Sequence, residues 1–292
     1  GRGMTIEGQK RGIRLIGTNH FMPENLMEYT LIIPKFLSEW AIGLAWAAAD
    51  RSFGRAEAVT TPTRKAADYL EANTSLRGVI PISCGIDAHN YTPSFAPRTE
   101  NRIVFLGRLV DEKQIDKLIR AFATLKPELK AQLEIVGGGE LEGKLRALAT
   151  SLGVGDRVKV TGYVDESYLR NALTRATVFA MPSIAELQSI STMEAMASGL
   201  PIVAADAMAL PHLVHDGENG YLFEPGNVQQ FAEKLTAVLE MTDEQLRPFK
   251  EESLRIVEAH DIQRTLDTFE SLYRGEPVAA PGDDAPESEK AH

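Results

Sequence analysis

The feature that most constrains this chain is an alternation of short apolar runs and amphipathic stretches, which begins at Arg102. The apolar runs have the length and β-branched content of strands, whereas the stretches between them repeat apolar positions at helical spacing. Such alternation is typical of βαβ units and predicts a doubly wound parallel sheet with helices on both faces. The predicted strands are 103–106, 133–136, 158–160, 177–180, 201–204 and 220–223.

The pattern predicts four parts of the chain. Residues 1–92 form a partial Rossmann-like domain, because no opening strand and glycine turn precede the strand expected at 13–17. Residues 93–258 form a complete Rossmann-like domain, entered through a proline-rich linker at 93–99. A helix at 259–275 packs back toward the first domain, and 276–292 is an acidic, disordered tail.

Composition narrows the classes of function. A formal net charge of −10 argues against a general nucleic-acid binder. The single cysteine, Cys84, rules out a disulfide framework within the chain and favours a reducing, cytoplasmic setting. We interpret Cys84 as a small buried residue rather than a nucleophile. A helical region around Trp40 and Trp46 is interpreted as a core or packing helix, with contact to a membrane surface as the alternative.

Charged residues follow the first predicted strand of the second domain. Arg108 and Lys113 bracket a loop that begins at Gly107, and two cations at the carboxyl end of a strand suit a diphosphate. The alternative is a pair of surface charges balanced by neighbouring acids. Three glycines at 137–139, including Gly138, follow the next strand and allow close approach of the backbone to a ligand or to another element.

Two glutamates frame the loop after the strand at 177–180. Glu186 and Glu194 are eight residues apart, so on a helix beginning at Glu186 both would face one side. Between them, the backbone N–H groups of Gln188, Ser189 and Ile190 would form an anion site at the start of that helix. The alternative is two solvated glutamates.

This segment resembles the signature of glycosyltransferase family 4. The matching residues are Pro182-Ser183, Glu186, Glu194 and Ala195-Met196-Ala197-Ser198-Gly199-Leu200-Pro201, joined in family order by Gly107-Arg108, Lys113, 137–139, Gly162-Tyr163-Val164 and 216–220. The resemblance covers residues 13–274 and extends to actinobacterial-type lipid mannosyl- and glucosyltransferases. It implies the GT-B fold, with two Rossmann-like domains of which the first is incomplete here. It also implies a retaining, metal-independent transfer from a nucleotide-sugar, without a further cofactor.

The resemblance also assigns roles. Arg108 and Lys113 would neutralise the donor diphosphate beside Gly107 and Gly138. Glu186 would contact sugar hydroxyls, and Glu194 would hold the ribose. The further implied contacts are the amides of Gln188, Ser189 and Ile190 with phosphate or sugar, the backbone of Tyr163 and Val164 with the base, and His20 with the sugar from the first domain.

Three departures from the family pattern leave the sugar open. Gln114 stands where glycine usually follows the lysine, Leu187-Gln188 replaces Gly-Phe, and 207–211 replaces a segment with two glycines. The predicted reaction moves mannose or glucose from a GDP- or UDP-sugar to a hydroxyl acceptor. A membrane lipid, approached through the Trp40 helix, is favoured over a soluble acceptor.

The competing function is a truncated nucleotide-sugar-binding chain with impaired catalysis. A third option, a sugar-nucleotide epimerase of similar architecture, is not supported by the segment with Glu186 and Glu194. A metal site at His212, His215 and Asp216 is disfavoured, because their spacing offers no further ligand set.

Overall fold

The computed structural model describes residues 7, 10–20, 22 and 35–278, with side-chain surroundings from residue 40 onward in the last range. The chain forms two compact units, one of residues 1–85 with 259–292 and the other of residues 86–258. Most of the predicted acidic tail at 276–292 lies outside the described residues.

The first unit contains a three-stranded parallel sheet in the order β1-β2-β3. Its elements are β1 (Ile16–Thr18), α1 (Lys35–Phe53), β2 (Ala58–Thr61), α2 (Arg64–Asn73) and β3 (Ile80–Pro81). Thr63 caps α2, since its side chain accepts a hydrogen bond from the Ala66 amide at 3.2 Å. Trp46, Leu70 and Val79 lie in the small apolar core of this unit.

The second unit contains a six-stranded parallel sheet in the order β6-β5-β4-β7-β8-β9. Its strands are β4 (Arg102–Leu106), β5 (Gln132–Val136), β6 (Val158–Val160), β7 (Val178–Met181), β8 (Ile202–Ala205) and β9 (Gly220–Phe223). Its helices are α3 (Ile115–Ala123), α4 (Glu142–Ser151), α5 (Glu166–Thr174), α6 (Ile190–Ala197), α7 (Leu210–Leu213), α8 (Val228–Glu240) and α9 (Asp243–Glu258). Each strand lies within one residue of its predicted bounds. In β4, β5, β7 and β8 nearly every residue is buried, so both faces of the central sheet are covered and the apolar runs are unambiguous.

One predicted helix boundary is wrong. The sequence placed the start of α6 at Glu186, but the helix begins at Ile190. Ser189 precedes it with φ +69° and ψ +75°, a left-handed conformation that cannot continue a right-handed helix. Glu186 therefore lies in the loop after β7, and Glu186 and Glu194 do not share one helix face.

The last described helix, α10 (Ile262–Arg274), belongs to the first unit. The Thr265 hydroxyl donates to the Ser83 carbonyl at 3.1 Å, and His260 Nδ1 lies 3.0 Å from the Ser83 hydroxyl. Gly85 has φ +75°, and a Cβ there would lie 2.9 Å from the Ile262 Cα. The start of α10 thus packs against residues 83–85, which follow β3 in the first unit.

The boundary between the units lies seven residues before the predicted position of 92. Ile86 is buried in the core of the second unit. The predicted linker at 93–99 also packs on this unit, since Lys250 Nζ donates to the Ser94 carbonyl at 2.7 Å. Proline content alone does not distinguish a free linker from an extended segment that is held by side chains.

A carboxylate is buried within the second unit's sheet. Glu134 on β5 has no exposed side-chain surface and faces three cations. Arg102 Nη1 lies 3.2 Å and Arg175 Nη2 lies 2.8 Å from its Oε2 atom, and the Tyr168 hydroxyl donates to Oε1. Burial raises the pKa of Glu134, whereas Tyr168, Arg175 and Lys159 lower it. The lowering is the larger effect, so the pKa lies below its ordinary value.

We expect Glu134→Gln to lower the free energy of unfolding by about 2 kcal/mol at pH 7, because the cations around residue 134 lose their buried partner. The wild-type advantage is complete above the unfolded pKa of about 4.3 and disappears as the pH falls through the lower folded pKa. Urea unfolding at pH 7 and at pH 3 to 4 measures both effects. Glu100→Gln, which removes an exposed partner of Arg102, is the matched control and should change stability by less than about 1 kcal/mol. An equal loss in both variants would contradict a specific role for Glu134.

Candidate functional site

The strand order of the second unit reverses between β4 and β7. From β4 the chain proceeds through β5 and β6 toward one edge, and from β7 it proceeds through β8 and β9 toward the other. The loops that follow β4 and β7 therefore lead in opposite directions from the carboxyl edge of the sheet. In doubly wound sheets this position is the crevice in which ligands bind.

An ion pair joins the two loops at this crevice. Lys113, at the end of the 3₁₀ turn Asp111–Lys113, donates through Nζ to Glu186 Oε1. Both side chains are largely buried, with 14% and 10% of their surfaces exposed. The Ile184 amide also donates to the Glu112 carbonyl at 3.2 Å. Two residues that the sequence predicted for one site, from motifs 73 positions apart, are thus in direct contact.

Arg108 stands at the open side of the loop after β4. Its side chain is 68% exposed, and Nη2 lies 3.2 Å from Oε1 of the buried Glu112. A buried carboxylate holds one end of the guanidinium while the remaining N–H groups face solvent. Arg108 therefore offers an oriented cation for an anionic ligand.

The glycine run after β5 is explained by close approach of three backbone segments. A Cβ at Gly137 would lie 2.0 Å from the Gly107 carbonyl oxygen, and one at Gly139 would lie 2.5 Å from the Leu109 carbonyl oxygen. At Gly138 a Cβ would lie 2.5 Å from the ring of Tyr163, which is 86% exposed. The glycines bring the loop after β5 against the loop after β4 and provide a surface for the Tyr163 ring.

The start of α6 lies beside Glu186. Gln188 and Ser189 are buried, whereas Ile190 is half exposed. The Ser189 and Thr192 hydroxyls lie 2.8 Å apart, and the left-handed backbone of Ser189 starts the helix. The first amides of a helix have no acceptor within it, so this end of α6 has the polarity that an anion requires.

Glu194 lies one turn into α6 and contacts a residue that sequence reasoning missed. The Tyr91 hydroxyl donates to Glu194 Oε1 at 2.7 Å. Burial raises the pKa of Glu194, the hydrogen bond from Tyr91 opposes this, Glu166 raises the pKa further and Arg170 lowers it. Tyr91 lies two residues before the predicted linker at 93–99, and the motifs that indicated the other site residues do not include it.

The remaining predicted residues occupy different places. Val164 is partly buried next to Tyr163 in the loop after β6. His20 belongs to the first unit, is exposed, and has Nδ1 4.0 Å from the Cys84 Sγ atom. Burial raises the pKa of the Cys84 thiol, which favours the unreactive protonated form. A contact between His20 and a sugar stays a prediction.

Within the described part of the chain, one group has spacing that a metal ion could use. The ligand atoms of His215, Glu218 and Glu252 lie within 4.8 Å of one another. Arg255 already binds both carboxylate oxygens of Glu252, at 2.7 and 2.5 Å. The group is therefore best described as an ion-pair cluster, and it does not include His212 or Asp216 as a ligand.

Residues 91–254 match the family described as glycosyl transferases group 1, which is more than half of the 292-residue chain. The chain belongs to this family. The match confirms the resemblance that the sequence motifs indicated, and it includes every predicted site residue except His20.

Curated relatives of this family member include two mycobacterial enzymes. The MMP alpha-(1->4)-mannosyltransferase of Mycolicibacterium hassiacum is 34% identical over 188 residues, which cover 63% of this chain and 44% of the relative. The phosphatidyl-myo-inositol mannosyltransferase of Mycobacterium leprae is 33% identical over 175 residues, covering 58% of this chain and 46% of the relative. The chain thus spans less than half the length of both.

Solved structures establish the fold. The Anabaena protein HepE, in complex with UDP and glucose, has a TM-score of 0.76 at 21% identity and matches 92% of this chain and 74% of its own. Sucrose-phosphate synthase from Thermosynechococcus elongatus has a TM-score of 0.75 at 22% identity, over 89% of this chain and 67% of its own. These likenesses confirm the predicted α/β class of GT-B type with two parallel-sheet units.

Proposed function

We propose that this family member is a retaining glycosyltransferase that moves a hexose, mannose or glucose, from a GDP- or UDP-sugar to a hydroxyl acceptor. The observation that carries this proposal is the Lys113–Glu186 contact at the point where the strand order reverses. A cation for phosphate and a carboxylate for sugar hydroxyls meet there, beside the start of α6. The mannosyltransferases among the relatives and the UDP and glucose bound to HepE support this class of donor.

Different residues at this position bind different parts of the donor. Arg108 and Lys113 face the diphosphate, and the first amides of α6 add hydrogen-bond donors for its oxygens. Glu186 accepts hydrogen bonds from sugar hydroxyls and thereby holds the anomeric carbon in place. In the structure Lys113 is paired with Glu186, so the pair keeps both buried charges satisfied until the donor offers each a new partner.

In the proposed reaction, the bond between the anomeric carbon and the β-phosphate oxygen breaks. The acceptor hydroxyl oxygen forms its bond to the same face of that carbon, and its proton passes to a β-phosphate oxygen. Negative charge grows on the leaving diphosphate as the bond breaks, and Arg108 and Lys113 stabilise it. Glu186 orients the sugar through hydrogen bonds and forms no covalent bond to the anomeric carbon. This distinguishes the proposed chemistry from that of retaining hydrolases, in which one carboxylate is the nucleophile and the other the acid and base.

We propose a membrane lipid as the acceptor. On α1 of the first unit, Trp40 is 66% exposed and Leu44, one turn later, is 48% exposed. A tryptophan beside an aliphatic side chain on one helix face is typical of contact with a lipid interface. No helix in the described ranges is long and apolar enough to cross a bilayer. The proposal concerns contact of α1 with a lipid surface.

We expect the full chain to bind UDP or GDP, and isothermal titration calorimetry with UDP, GDP and ADP identifies the base. Lys113→Ala should weaken binding by about tenfold or more, because an ionic contact to phosphate is lost. Glu186→Ala should reduce sugar transfer more than nucleotide binding, because its proposed partner is the sugar. Lys126→Ala, which removes an exposed lysine paired with Glu240, is the matched control and should bind like wild type.

Two outcomes would contradict this assignment. If the wild-type chain binds none of the three nucleotides, the proposed donor site is wrong. If Lys113→Ala and Glu186→Ala both match wild type in binding and in transfer, these residues have no role in it. Binding without any sugar transfer would favour the alternative, a nucleotide-sugar-binding chain without catalysis.

We expect the chain to co-sediment with vesicles of phosphatidylglycerol and phosphatidylcholine. Trp40→Ala should lower the partition coefficient about tenfold, because burial of one large apolar side chain stabilises binding by roughly 1.5–3 kcal/mol. Leu152→Ala, an exposed leucine on the second unit, serves as control and should leave co-sedimentation unchanged. Absence of wild-type co-sedimentation would rule out the lipid-surface contact and leave a soluble acceptor.

A further inference from the structure

We infer that Tyr91 is a positioning residue for Glu194, and that its hydroxyl prepares this carboxylate to bind the ribose of a nucleoside diphosphate. The inference rests on the proposed function, which gives Glu194 the ribose. It adds a residue that the sequence analysis did not single out and that acts on the ligand only through Glu194.

Tyr91 is held in place independently of its hydroxyl group. It follows the 3₁₀ turn Ala88–Asn90, and its amide donates to the Ala88 carbonyl at 3.1 Å. On its other side, the Thr174 hydroxyl donates to the Thr92 carbonyl at 3.2 Å. Contacts on both sides of residue 91 hold its backbone, and the Tyr91 side chain packs against the apolar core of the second unit. Removal of the hydroxyl alone should therefore leave this segment in position.

The contact leaves part of Glu194 available for a ligand. The Tyr91 hydroxyl donates to Oε1 at 2.7 Å, and a carboxylate has about four lone-pair positions on its two oxygens. Burial and the neighbouring Glu194 raise the pKa of Tyr91, so the phenol stays protonated and acts as a donor. With Oε1 bound, the carboxylate has a fixed orientation, and Oε2 is available to accept from a ribose hydroxyl.

The hydroxyl also helps to keep Glu194 ionised. Burial and the negative charge of Glu166 favour the neutral form, whereas Arg170 and the hydrogen bond from Tyr91 favour the carboxylate. Arg170 also lies 6.0 Å from the centre of the Tyr91 ring, so it stays close to both residues. Loss of the Tyr91 hydroxyl removes one of the two interactions that stabilise the ionised carboxylate, so the pKa of Glu194 rises. The ribose would then meet a larger fraction of neutral Glu194 at any given pH.

The experiment compares wild type, Tyr91→Phe, Glu194→Gln and the double variant by titration with UDP and GDP between pH 6 and pH 8. Tyr91→Phe should weaken nucleotide binding about fivefold at pH 8, since a hydrogen bond to a charged group is lost. The defect should grow as the pH is lowered, because a higher pKa leaves more of Glu194 protonated at any given acidic pH. In the Glu194→Gln background, Tyr91→Phe should add no pH-dependent loss. Tyr221→Phe, whose ring packs on Phe249, is the matched control.

Circular dichroism melting confirms that each variant is folded before it is titrated. Equal affinities and equal pH profiles of wild type and Tyr91→Phe would overturn the inference while leaving the proposed function intact. A Tyr91→Phe defect of the same size and pH dependence in the Glu194→Gln background would also overturn it, because Tyr91 would then act by another route. Failure of wild type to bind UDP and GDP would instead contradict the proposed function itself.

Discussion

The Lys113–Glu186 ion pair joins two loops that the topology of the sheet would otherwise separate. Because β4 and β7 are adjacent parallel strands whose connections run in opposite directions, their carboxyl-end loops diverge. The ion pair and the hydrogen bond from the Ile184 amide to the Glu112 carbonyl connect these two loops. Removal of either charge would leave the other buried without a partner, so the two loops depend on each other. In the proposed donor site, Lys113 and Glu186 therefore hold each other in position.

Close backbone packing provides the second constraint. The glycines after β5 lie so near the loop after β4 that a Cβ at Gly137 or Gly139 would collide with backbone. Such collisions cannot be relieved by rotation of a side chain, so only glycine fits. The same packing gives the exposed Tyr163 ring its support at Gly138. A glycine run that is a weak signal in sequence is thus required by the structure for reasons that do not involve the ligand.

The sequence predicted the sheet of the second unit closely, because buried parallel strands give continuous apolar runs with clear ends. The family motifs also predicted that Lys113 and Glu186 belong to one site. They did not predict the direct contact between the two side chains. The sequence-based prediction failed at the start of α6, where Ser189 adopts a left-handed backbone that residue type does not indicate. Two departures from the family pattern also place a residue other than glycine in a left-handed backbone conformation. Gln114 has φ +51°, and Met208, in the segment that replaces two glycines, has φ +48°.

Tyr91 shows a further limit of sequence reasoning. Its partner Glu194 is 103 positions away, and the contact depends on how an extended segment packs against α6. No local pattern encodes such a contact, because the segment has neither helical nor strand periodicity. The buried Glu134 is a similar case, since a lone acid in an apolar strand gives no indication of the arginines that neutralise it.

Hydrogen exchange with and without bound nucleotide shows which segments the donor contacts. With the diphosphate between the loops after β4 and β7, bound UDP or GDP should slow amide exchange at 107–113 and at 187–191. Exchange in the groove lined by Thr124, Val228 and Thr236, on another part of the second unit, should stay unchanged. Nucleotide-dependent protection of that groove, with none at 107–113 and 187–191, would contradict the proposed donor site at the ends of β4 and β7.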